Sequence, residues 1–442
     1  MSETGWPARL IRRAVDAREG ELPAVGTGFA LFFCLFAGYF MLRPIRETMG
    51  IAAGVDKLQW LFTATFVTML LAVPLFGALS ARVARRRLLP WVYLFFVANL
   101  LAFAGGFSRD AGSIWLARLF YVWVSVFNLF VVSLAWSLMA DVFRPEQARR
   151  LFAPMAAGAS VGGLAGPLLG AALVGRIGLD GLTLVSAGFL GATLVGVGGL
   201  YRWRAAQGAG SRERQDATKE PLPGGLLDGL ALIARSPYLI GIAAFVILLA
   251  TTSTFLYFEQ ARLVAETFPD RVRQTQVFAL LDTLVQGLTI ATQVFVTGRL
   301  AQRYGVTVLL VALPLLIAVG LGVLALAPVF GVLAVVMVLR RVGEYAMIRP
   351  GREMLFTRVD AATKYKAKNV IDTAVYRGAD AVSGWVKTGI DALGAGAWLV
   401  ALIGAAVALC WAAVGRWLGR RHEASALDSS ATDSDLACRP HG

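Results

Sequence analysis

Two short segments place arginine and glutamate at the ends of long apolar runs. The apolar run 25–42 continues without a turn signal into Arg-Pro-Ile-Arg-Glu at 43–47, and a similar Arg-Pro-Gly-Arg-Glu returns at 349–353. A charged side chain inside a spanning helix costs about 2.5–3.5 kcal/mol on insertion scales unless it faces a wet cavity or a partner. Arginine binds phosphate through a planar fork of N–H donors, whereas lysine acts as a point charge. These segments therefore indicate a pathway for a charged solute and favour an anionic one.

Other ionisable residues lie in or beside apolar runs, most densely over 340–387. A helix that carries Asp372, Arg377 and Asp380 cannot face lipid, so it must line water or pair with other helices. Three local explanations stay open: an Arg–Glu pair at 43–47 that snorkels to the interface, Asp141 as a helix cap, and a hydrogen-bonded stripe over 282–293. The predicted substrate-binding residues are Arg43, Arg46, Glu47, Asp141, Glu259, Asp282, Glu344, Arg349, Arg352, Lys366, Lys368, Asp372 and Arg377.

The composition identifies the solvent of this chain as lipid. Of the 442 residues 57% are apolar and only 16% are charged, too few to cover a soluble particle of this size. Windows of about 20 residues, the length that crosses a bilayer core, give twelve candidate spans. The longest interior break, 202–235, divides them six and six. We therefore predict an all-α membrane protein of twelve transmembrane helices in two six-helix halves.

Most of the basic residues behind the formal charge of +14 lie in the loops of one side; the main exception is the connection that carries Arg271 and Arg273. The positive-inside rule then places both termini in the cytoplasm of an integral inner (plasma) membrane protein, and this placement argues against nucleic acid as a partner. The bilayer itself is the expected partner, and a monomer is plausible. The predicted segments are an interfacial helix at 1–22, a first bundle at 23–203, a cytoplasmic linker at 204–236, a second bundle at 237–421 and a disordered tail at 422–442.

Metal and cofactor chemistry have little support in the sequence. The two histidines, His422 and His441, lie in the polar tail, and the three cysteines are scattered, so neither a histidine metal site nor a zinc cluster is predicted. No phosphate-binding loop is present, so ATP would be cargo rather than fuel. We expect no cofactor, no metal and no enzymatic activity; a membrane-embedded enzyme or scaffold is the remote alternative.

A repeated motif relates the two predicted halves. Both 77–82 and 298–303 read Gly-x-Leu-small-x-Arg. The motif resembles the cytoplasmic segment between spans two and three of the major facilitator superfamily, in which Gly permits a tight helix end and Arg caps neighbouring carbonyls. The Asp of that family is absent from both copies, where Ala81 and Gln302 stand instead.

Four segments, in order along the chain, resemble the ATP/ADP antiporter family of nucleotide transporters. Lys-Tyr-Lys-Ala-Lys-Asn-Val-Ile-Asp at 364–372 is similar to its Lys-x-Lys-Gly-Lys-x-x-Ile-Asp segment. Residues 43–47 resemble its first-span signature, 148–160 its Glu-Ala-Lys-Arg-Phe-Tyr and Gly-Ala-Asn run, and 344–354 its Lys-Tyr…Asp-Pro-x-Lys-Glu-Met segment.

The resemblance implies exchange of nucleotides through a twelve-span fold related to the major facilitators. By motif, Arg46 and Lys368 fall on positions that contact substrate, and Glu259 lies close to an acidic position of the family. The chain departs from the family at four positions, which are Arg46 for Lys, Glu344 for Lys, Arg349 for Asp and Ala367 for Gly.

The sequence thus favours a secondary active transporter that works by alternating access on an anionic, phosphorylated, nucleotide-like solute, by exchange. Between substrates, Glu47, Glu259 and Asp372 would pair with the cations. The alternative is a proton-coupled transporter of a different organic solute, in which Asp282, Glu259 or Asp372 takes up the proton.

Overall fold

The computed structural model describes residues 18, 20–83, 85–110, 112–207, 226–394 and 396–437, and nearly all of them are helical. The predicted interfacial helix at 1–22 lies outside the described residues except at its end. Residues 208–225 of the predicted linker also lie outside them.

Fourteen α-helices follow each other along the described chain, joined in places by single turns of other helix types. Turns of π-helix lie at Gln293–Thr297, Glu344–Ile348 and Ile371–Val375. The α-helices are α1 Leu22–Ala52, α2 Leu58–Arg82, α3 Arg85–Arg109, α4 Ile114–Val142, α5 Pro145–Ala206, α6 Leu226–Arg235, α7 Pro237–Thr267, α8 Arg271–Thr292, α9 Gly298–Leu326, α10 Phe330–Gly343, α11 Arg349–Leu355, α12 Ala361–Val370, α13 Tyr376–Ala392 and α14 Ala397–Ala437.

Eight helical stretches of the described chain are long and apolar enough to cross a membrane. This confirms the predicted all-helical membrane class, whereas the predicted number of twelve spans is not confirmed. One reason is that charge lowers the hydropathy of two predicted spans. Helix α10, a π-turn and α11 follow without a break with 14, 5 and 7 residues, yet this run carries Arg340, Arg341 and Glu344. The run 361–392 is likewise helical and charged.

A second reason is that α5 is two antiparallel arms. At Gly178 the backbone leaves the helical region, with φ 67° and ψ −172°. The arm before it runs parallel to α1 and the arm after it runs antiparallel, which shows that the chain reverses at this glycine. The contacts that show this are Gly158, Gly162 and Gly166 against Phe29, Phe33 and Ala37, and then Ser186, Gly196 and Gly199 against Gly38, Leu31 and Thr27.

The same backbone signature returns in α9, at Gly305, with φ 76° and ψ −177°. A positive φ of this kind strains any residue with a Cβ, so glycine is the residue that permits the break. After Gly305 the helix runs antiparallel to α14: Thr307 lies beside Gly419, and Leu321 lies beside Gly404.

The chain divides into two compact units. Unit 1 comprises 1–54, 67–221 and 268–286, and unit 2 comprises 55–66, 222–267 and 287–442. This division differs from the predicted halves in two segments. Residues 268–286 join unit 1 because α8 packs on α1, where the hydroxyls of Thr48 and Thr275 lie 2.8 Å apart. Residues 55–66 join unit 2 because Phe62 packs on Tyr257 and Phe258, with ring centroids 5.3 and 5.6 Å apart.

Each unit has its own core. In unit 1 aromatic rings stack between α3 and α4, around Trp123, whose ring lies 5.1 Å from Phe127 at an interplanar angle of 13°. In unit 2 aliphatic side chains of α7, α9 and α10 surround Phe245 and Trp411, both fully buried. Helix α14 continues to Ala437, so the predicted disordered tail, 422–442, begins inside a helix.

Candidate functional site

In unit 1 the charged end of α1 faces α8. The Nε of Arg43 lies 3.8 Å from Oδ2 of Asp282, whose side chain is only 4% exposed. Thr275, the partner of Thr48, lies seven residues before Asp282, and a spacing of seven puts both residues on one face of α8. Arg43 and Asp282, both predicted site residues, are therefore brought together across two helices.

Arg46 and Glu47 occupy the next turn of α1. An Nη1 of Arg46 lies 3.4 Å from a carboxylate oxygen of Glu47. The guanidinium of Arg46 also lies 4.4 Å from the ring centroid of Tyr121, within the range of a cation–π contact. Both charged side chains are more than four-fifths buried. This burial contradicts the simple alternative in which the Arg–Glu pair snorkels out to the interface.

Glycines on the first arm of α5 fix the position of α1. A Cβ at Gly158, Gly162 or Gly166 would meet the backbone carbonyl of α1 directly below it. Glycines four residues apart therefore form a seam along which two backbones touch, the arrangement that joins helices in lipid. The seam runs beside Gly163, where a Cβ would meet the Gln286 amide of α8. Because glycine has no Cβ, these positions let α5 approach the backbone of α1 and so fix the position of its charged turn.

Asp141, another predicted site residue, lies at the other end of unit 1. Its backbone carbonyl accepts a hydrogen bond from Arg204 at the end of α5. At the same end, the Trp203 indole donates to Gly20, 2.8 Å away. Since Gly20 and Arg43 are separated by about 23 residues of helix at 1.5 Å each, roughly 35 Å lies between Asp141 and the charged turn.

Glu21 ties the beginnings of α1 and α5 together at that end. Its carboxylate accepts hydrogen bonds from the Arg18 backbone at 2.8 Å, from Gln147 at 3.0 Å and from Arg150 at 3.2 Å. Burial alone would raise the pKa of the Glu21 carboxyl, but these hydrogen bonds outweigh it and hold the pKa below its ordinary value of 4.5. The ionised form of Glu21 therefore stabilises the folded unit.

In unit 2 a buried carboxylate connects two arginines. Glu344 accepts from Arg340 at 2.9 Å, and its other oxygen lies 3.5 Å from Arg349. Arg340 also donates to the hydroxyl of Ser253 on α7, 2.7 Å away. The guanidinium of Arg349 lies over the ring of Tyr345, 4.3 Å from its centroid, and its side chain is 57% exposed. One cation of the group is thus buried and structural, and the other is accessible.

The π-turn Glu344–Ile348 creates this geometry. Residues five apart on an α-helix point roughly 140° away from each other. In a π-turn the hydrogen bond joins residue i to i+5, and here the Arg349 N–H donates to the Glu344 carbonyl. The turn thereby brings the two side chains to one face. Gln293 and Thr297 of a second π-turn donate to the Tyr345 and Ala346 carbonyls, at 3.2 and 2.8 Å.

Two further ion pairs join α11 to the run 361–375. Arg352 lies 2.9 Å from Asp372, and Lys368 donates to both oxygens of Glu353 at 2.6 and 2.7 Å. Lys368 and Arg349 also contribute positive charge at Asp372. The structure therefore groups five predicted site residues: Glu344, Arg349, Arg352, Lys368 and Asp372. We call these five residues and Glu353 the basic band of unit 2.

The three other predicted site residues of unit 2 are not among these pairs. Arg377 lies 3.4 Å from Asp380, which in turn accepts from Thr254 of α7. Glu259 pairs with Arg262, one turn further along α7. The backbone of Lys366 packs against α6, where a Cβ at Gly229 would lie 3.1 Å from its carbonyl oxygen.

The predicted site list omits several buried polar groups that the structure brings forward. Arg340 and Arg341 are 8% and 6% exposed, and Asp380 and Lys387 are each 6% exposed. The i,i+4 spacing of Arg340 and Glu344 was the available signal, because such spacing places opposite charges in contact on a helix. Among the described residues, no group of three or more His, Cys, Asp or Glu side chains could hold a metal ion.

Comparison with known proteins identifies one family and several solved structures of the same fold. The profile of the Major Facilitator Superfamily matches residues 28–351. Among solved structures, the nucleoside transporter NupG is similar with a TM-score of 0.64 and 13% identity, over 91% of this chain and 99% of that one. A search of curated proteins finds no match.

Two further solved structures have the same fold. A bacterial homologue of the iron transporter ferroportin, in an inward-facing state, has a TM-score of 0.62 and 15% identity, over 88% of this chain and 99% of that one. A bacterial metal transporter has a TM-score of 0.61 and 14% identity, over 91% and 98%. At these identities the likeness shows the fold alone. The narrower resemblance to ATP/ADP antiporters stays a prediction.

Proposed function

The chain belongs to the Major Facilitator Superfamily and is a secondary transporter rather than an enzyme, and on that premise we propose that its cargo is an anionic, phosphorylated, nucleotide-like solute moved by exchange. Its solved neighbours carry cargo as different as nucleosides and metals. The choice of cargo therefore depends on the charged side chains of this chain.

The basic band of unit 2 is the observation that carries the proposal. Arg349, Arg352 and Lys368 lie on adjoining helical segments, each beside a carboxylate. Two guanidinium forks and an ammonium offer the donors that a polyphosphate needs, and each charge-assisted contact contributes about 1.5–3 kcal/mol. Tyr345, which lies under Arg349, offers an aromatic face to a base.

The carboxylates of the band support exchange rather than one-way transport. Glu344, Glu353 and Asp372 lie where they neutralise the cations, as a bound phosphate would. Cargo must displace these carboxylates, so binding and release are substitutions of one anion for another. The resemblance of 364–372 to the ATP/ADP antiporter segment supports the same reading. In unit 1, Arg43 and Arg46 carry the corresponding cations, with Asp282 and Glu47 beside them.

Proteoliposomes provide the direct test. Vesicles loaded with unlabelled ATP are expected to take up labelled ADP much faster than empty vesicles. Arg352→Gln should lower this uptake by about 10- to 100-fold, since it removes a contact of about 1.5–3 kcal/mol. Arg352→Lys should retain part of the activity because it keeps the charge without the fork.

Arg299→Gln is the matched control, because Arg299 is exposed and, among the described residues, its side chain donates to the Phe295 carbonyl of the adjoining π-turn and pairs with no carboxylate. Its uptake should equal that of the unaltered protein. Equal uptake into empty and loaded vesicles would refute exchange. Full uptake by Arg352→Gln would remove the basic band from the site.

The second candidate is a proton-coupled transporter of a different organic solute. Asp282 of α8, whose side chain is only 4% exposed, is the buried carboxylate beside Arg43 that this alternative would use. If this reading holds, a pH gradient should drive uptake into empty vesicles and Asp282→Asn should abolish that drive. Uptake that ignores the gradient leaves exchange as the mechanism.

A further inference from the structure

One face of α14 changes from apolar to basic along its length. Leu409, Ala412 and Ala413 come first, and Arg416, Trp417, Arg420 and Arg421 follow at the same spacing of three and four residues. This spacing puts all of them on one side of the helix. The change occurs at Trp417, and tryptophan is the residue that prefers the boundary between hydrocarbon and headgroups.

A cavity of about 700 Å³ lies along this face. Val311 and Leu315 of α9 form its opposite wall, and both belong, like α14, to unit 2. The apolar walls are open to the outside of the unit: Leu315 is 45% exposed and Leu409 is 54% exposed. The cavity is therefore an open groove that is apolar over most of its length and cationic at one end.

Close helix packing forms the floor of the groove before any ligand binds. A Cβ at Gly415 would lie 2.9 Å from the Leu310 carbonyl oxygen, and one at Gly419 would lie 2.6 Å from the Thr307 Cα. The Glu423 carboxylate further joins the helices by accepting from the N–H and hydroxyl of Thr307, at 3.0 and 2.9 Å. The two helices thus touch backbone to backbone, and a ligand would find the groove already built.

The cationic end is available for a ligand. Arg416 and Arg420 are exposed, and neither forms an ion pair with another described side chain. Arg421 lies 5.4 Å from the ring centroid of Trp417 and also lines a second cavity, of about 490 Å³, together with Arg235 and Arg358. A headgroup held at Arg421 would therefore lie at the junction of two arginine-lined cavities.

We propose that this groove binds an anionic phospholipid, with an acyl chain along Leu315, Leu409 and Ala413 and the headgroup phosphate on Arg416, Arg420 and Arg421. Only a ligand with both parts matches the groove: a soluble phosphate would leave the apolar walls uncovered, and a zwitterionic lipid would bring its own cation to the arginines. Basic pockets beside spanning helices recognise anionic headgroups in this way. The site is separate from the residues proposed for cargo.

The test uses the full-length protein in detergent with added lipid. Dioleoylphosphatidylglycerol is expected to raise the apparent unfolding temperature, since a ligand that binds only the folded form stabilises it, whereas dioleoylphosphatidylcholine should not. Arg416→Gln combined with Arg420→Gln should raise the phosphatidylglycerol concentration needed for a given stabilisation roughly 30-fold, because each basic residue near an anionic surface contributes a factor of about five in affinity. Ala413→Phe, which fills the apolar part, should also weaken it.

Matched controls separate this site from general charge and bulk. Arg299→Gln removes an exposed arginine of unit 2 that does not line the groove, and Cys410→Phe adds a ring on α14 outside the groove. Both should keep the full response. Equal stabilisation by the two lipids, an undiminished response in the double arginine variant, or an equal response to glycerol phosphate without acyl chains would each overturn the proposal. None of these outcomes bears on the exchange assay.

Discussion

At the scale of single residues, the charged side chains of this transporter are mostly in pairs. Arg43 with Asp282, Arg46 with Glu47 and Arg352 with Asp372 each join opposite charges. An unpaired charge in a low-dielectric interior costs several kcal/mol, so the carboxylates are what allow the cations to remain there.

The Glu344 group tests this pairing. In Glu344→Gln, Arg340 keeps its charge but loses its counterion, so we expect a loss of about 3 kcal/mol in the free energy of unfolding. Arg349→Gln should cost about 1 kcal/mol or less, because that side chain is half exposed. Thermal unfolding in detergent measures both.

A double variant completes this test. Arg340→Met combined with Glu344→Leu removes both charges and should be more stable than Glu344→Gln alone, since a well-packed apolar pair replaces a buried ion pair at little cost. If the double variant were the less stable one, the pair would have a role beyond mutual neutralisation.

Glu21 gives a prediction of pH dependence. Because its pKa is lowered in the folded state, the stabilisation is complete above the ordinary value of 4.5 and is lost as the pH falls through the folded pKa. Glu21→Gln should therefore lower the unfolding temperature at pH 7, by an amount equivalent to about 1–3 kcal/mol, and this effect should shrink as the pH is lowered below 4.5.

Glu146 is the control for Glu21, since it is exposed and lies beside Gln147, a partner of Glu21, at the start of α5. Glu146→Gln should leave the unfolding temperature unchanged at both pH 7 and pH 3. A Glu21→Gln effect of equal size at pH 7 and pH 3 would show that the carboxylate charge is not the cause.

Ion pairs are readable from the sequence where the partners lie three or four residues apart on one helix. Arg340 and Glu344 have this spacing, although Arg340 was not among the predicted site residues. The pairs of Arg43 with Asp282 and of Arg352 with Asp372 join different helices, so no local spacing indicates them. The position of Asp141 likewise follows only from packing, which puts this predicted site residue at the far end of unit 1.

At the scale of helices, the glycine seam between α1 and α5 is the clearest determinant of unit 1. Gly162→Val would push a branched side chain into the Phe33 carbonyl. We expect a loss of about 1–3 kcal/mol or more, because the facing group is backbone and cannot rotate away. The unfolding temperature and the yield of monodisperse protein measure it.

Gly191→Ala is the control for the seam, since no atom lies within 4 Å of the Cβ it would add. This variant should be neutral or slightly stabilising, because alanine favours helix over glycine by about 1 kcal/mol. A tolerated valine at 162 would show that α1 and α5 can separate without cost.

Helix type was beyond sequence reasoning. The close packing of α1 on α5 depends on glycines four residues apart, a spacing that is visible in the sequence. By contrast, nothing in Glu-Tyr-Ala-Met-Ile at 344–348 or Ile-Asp-Thr-Ala-Val at 371–375 marks a π-turn, because such a turn is decided by the contacts that hold its carbonyls. At 344–348 the contacts come from Gln293 and Thr297, about 50 residues away in the chain.

At the scale of the whole molecule, the asymmetry of basic loops predicts orientation. In a variant without Cys34, Cys410 and Cys438, a cysteine at Asp110 should react with a membrane-impermeant maleimide added to intact cells. A cysteine at Arg144 should react only after the membrane is opened. Both positions are exposed, so access to the reagent decides the result.

Reversed labelling, with Arg144→Cys reactive from outside, would invert the predicted topology. Labelling of neither cysteine in opened cells would indicate that the loops are covered. Either result would leave the fold and the ion pairs within each unit as they are.

Whole-molecule prediction was strongest for the class and weaker for the count. Composition alone indicated a membrane protein, because a chain with so many apolar residues has too few polar side chains to cover the surface of a soluble particle. The number of spans was harder to predict, because charged residues lower the mean hydropathy of a helix below the level typical of a membrane span. The division into units also differs from the halves, since residues 268–286 pack with the first half and 55–66 with the second.

The seam of glycines has a mechanical consequence. Carbonyls of α1 lie against glycines spaced four residues apart, so the two helices can slide past each other only in steps of about 6 Å, with a barrier between one step and the next. A smaller displacement would bring the carbonyl oxygens of α1 into steric clash with the side chains between the glycines of α5. Whatever travels during the transport cycle, α1 and the first arm of α5 should travel as one piece, carrying the Arg43 guanidinium at a constant height.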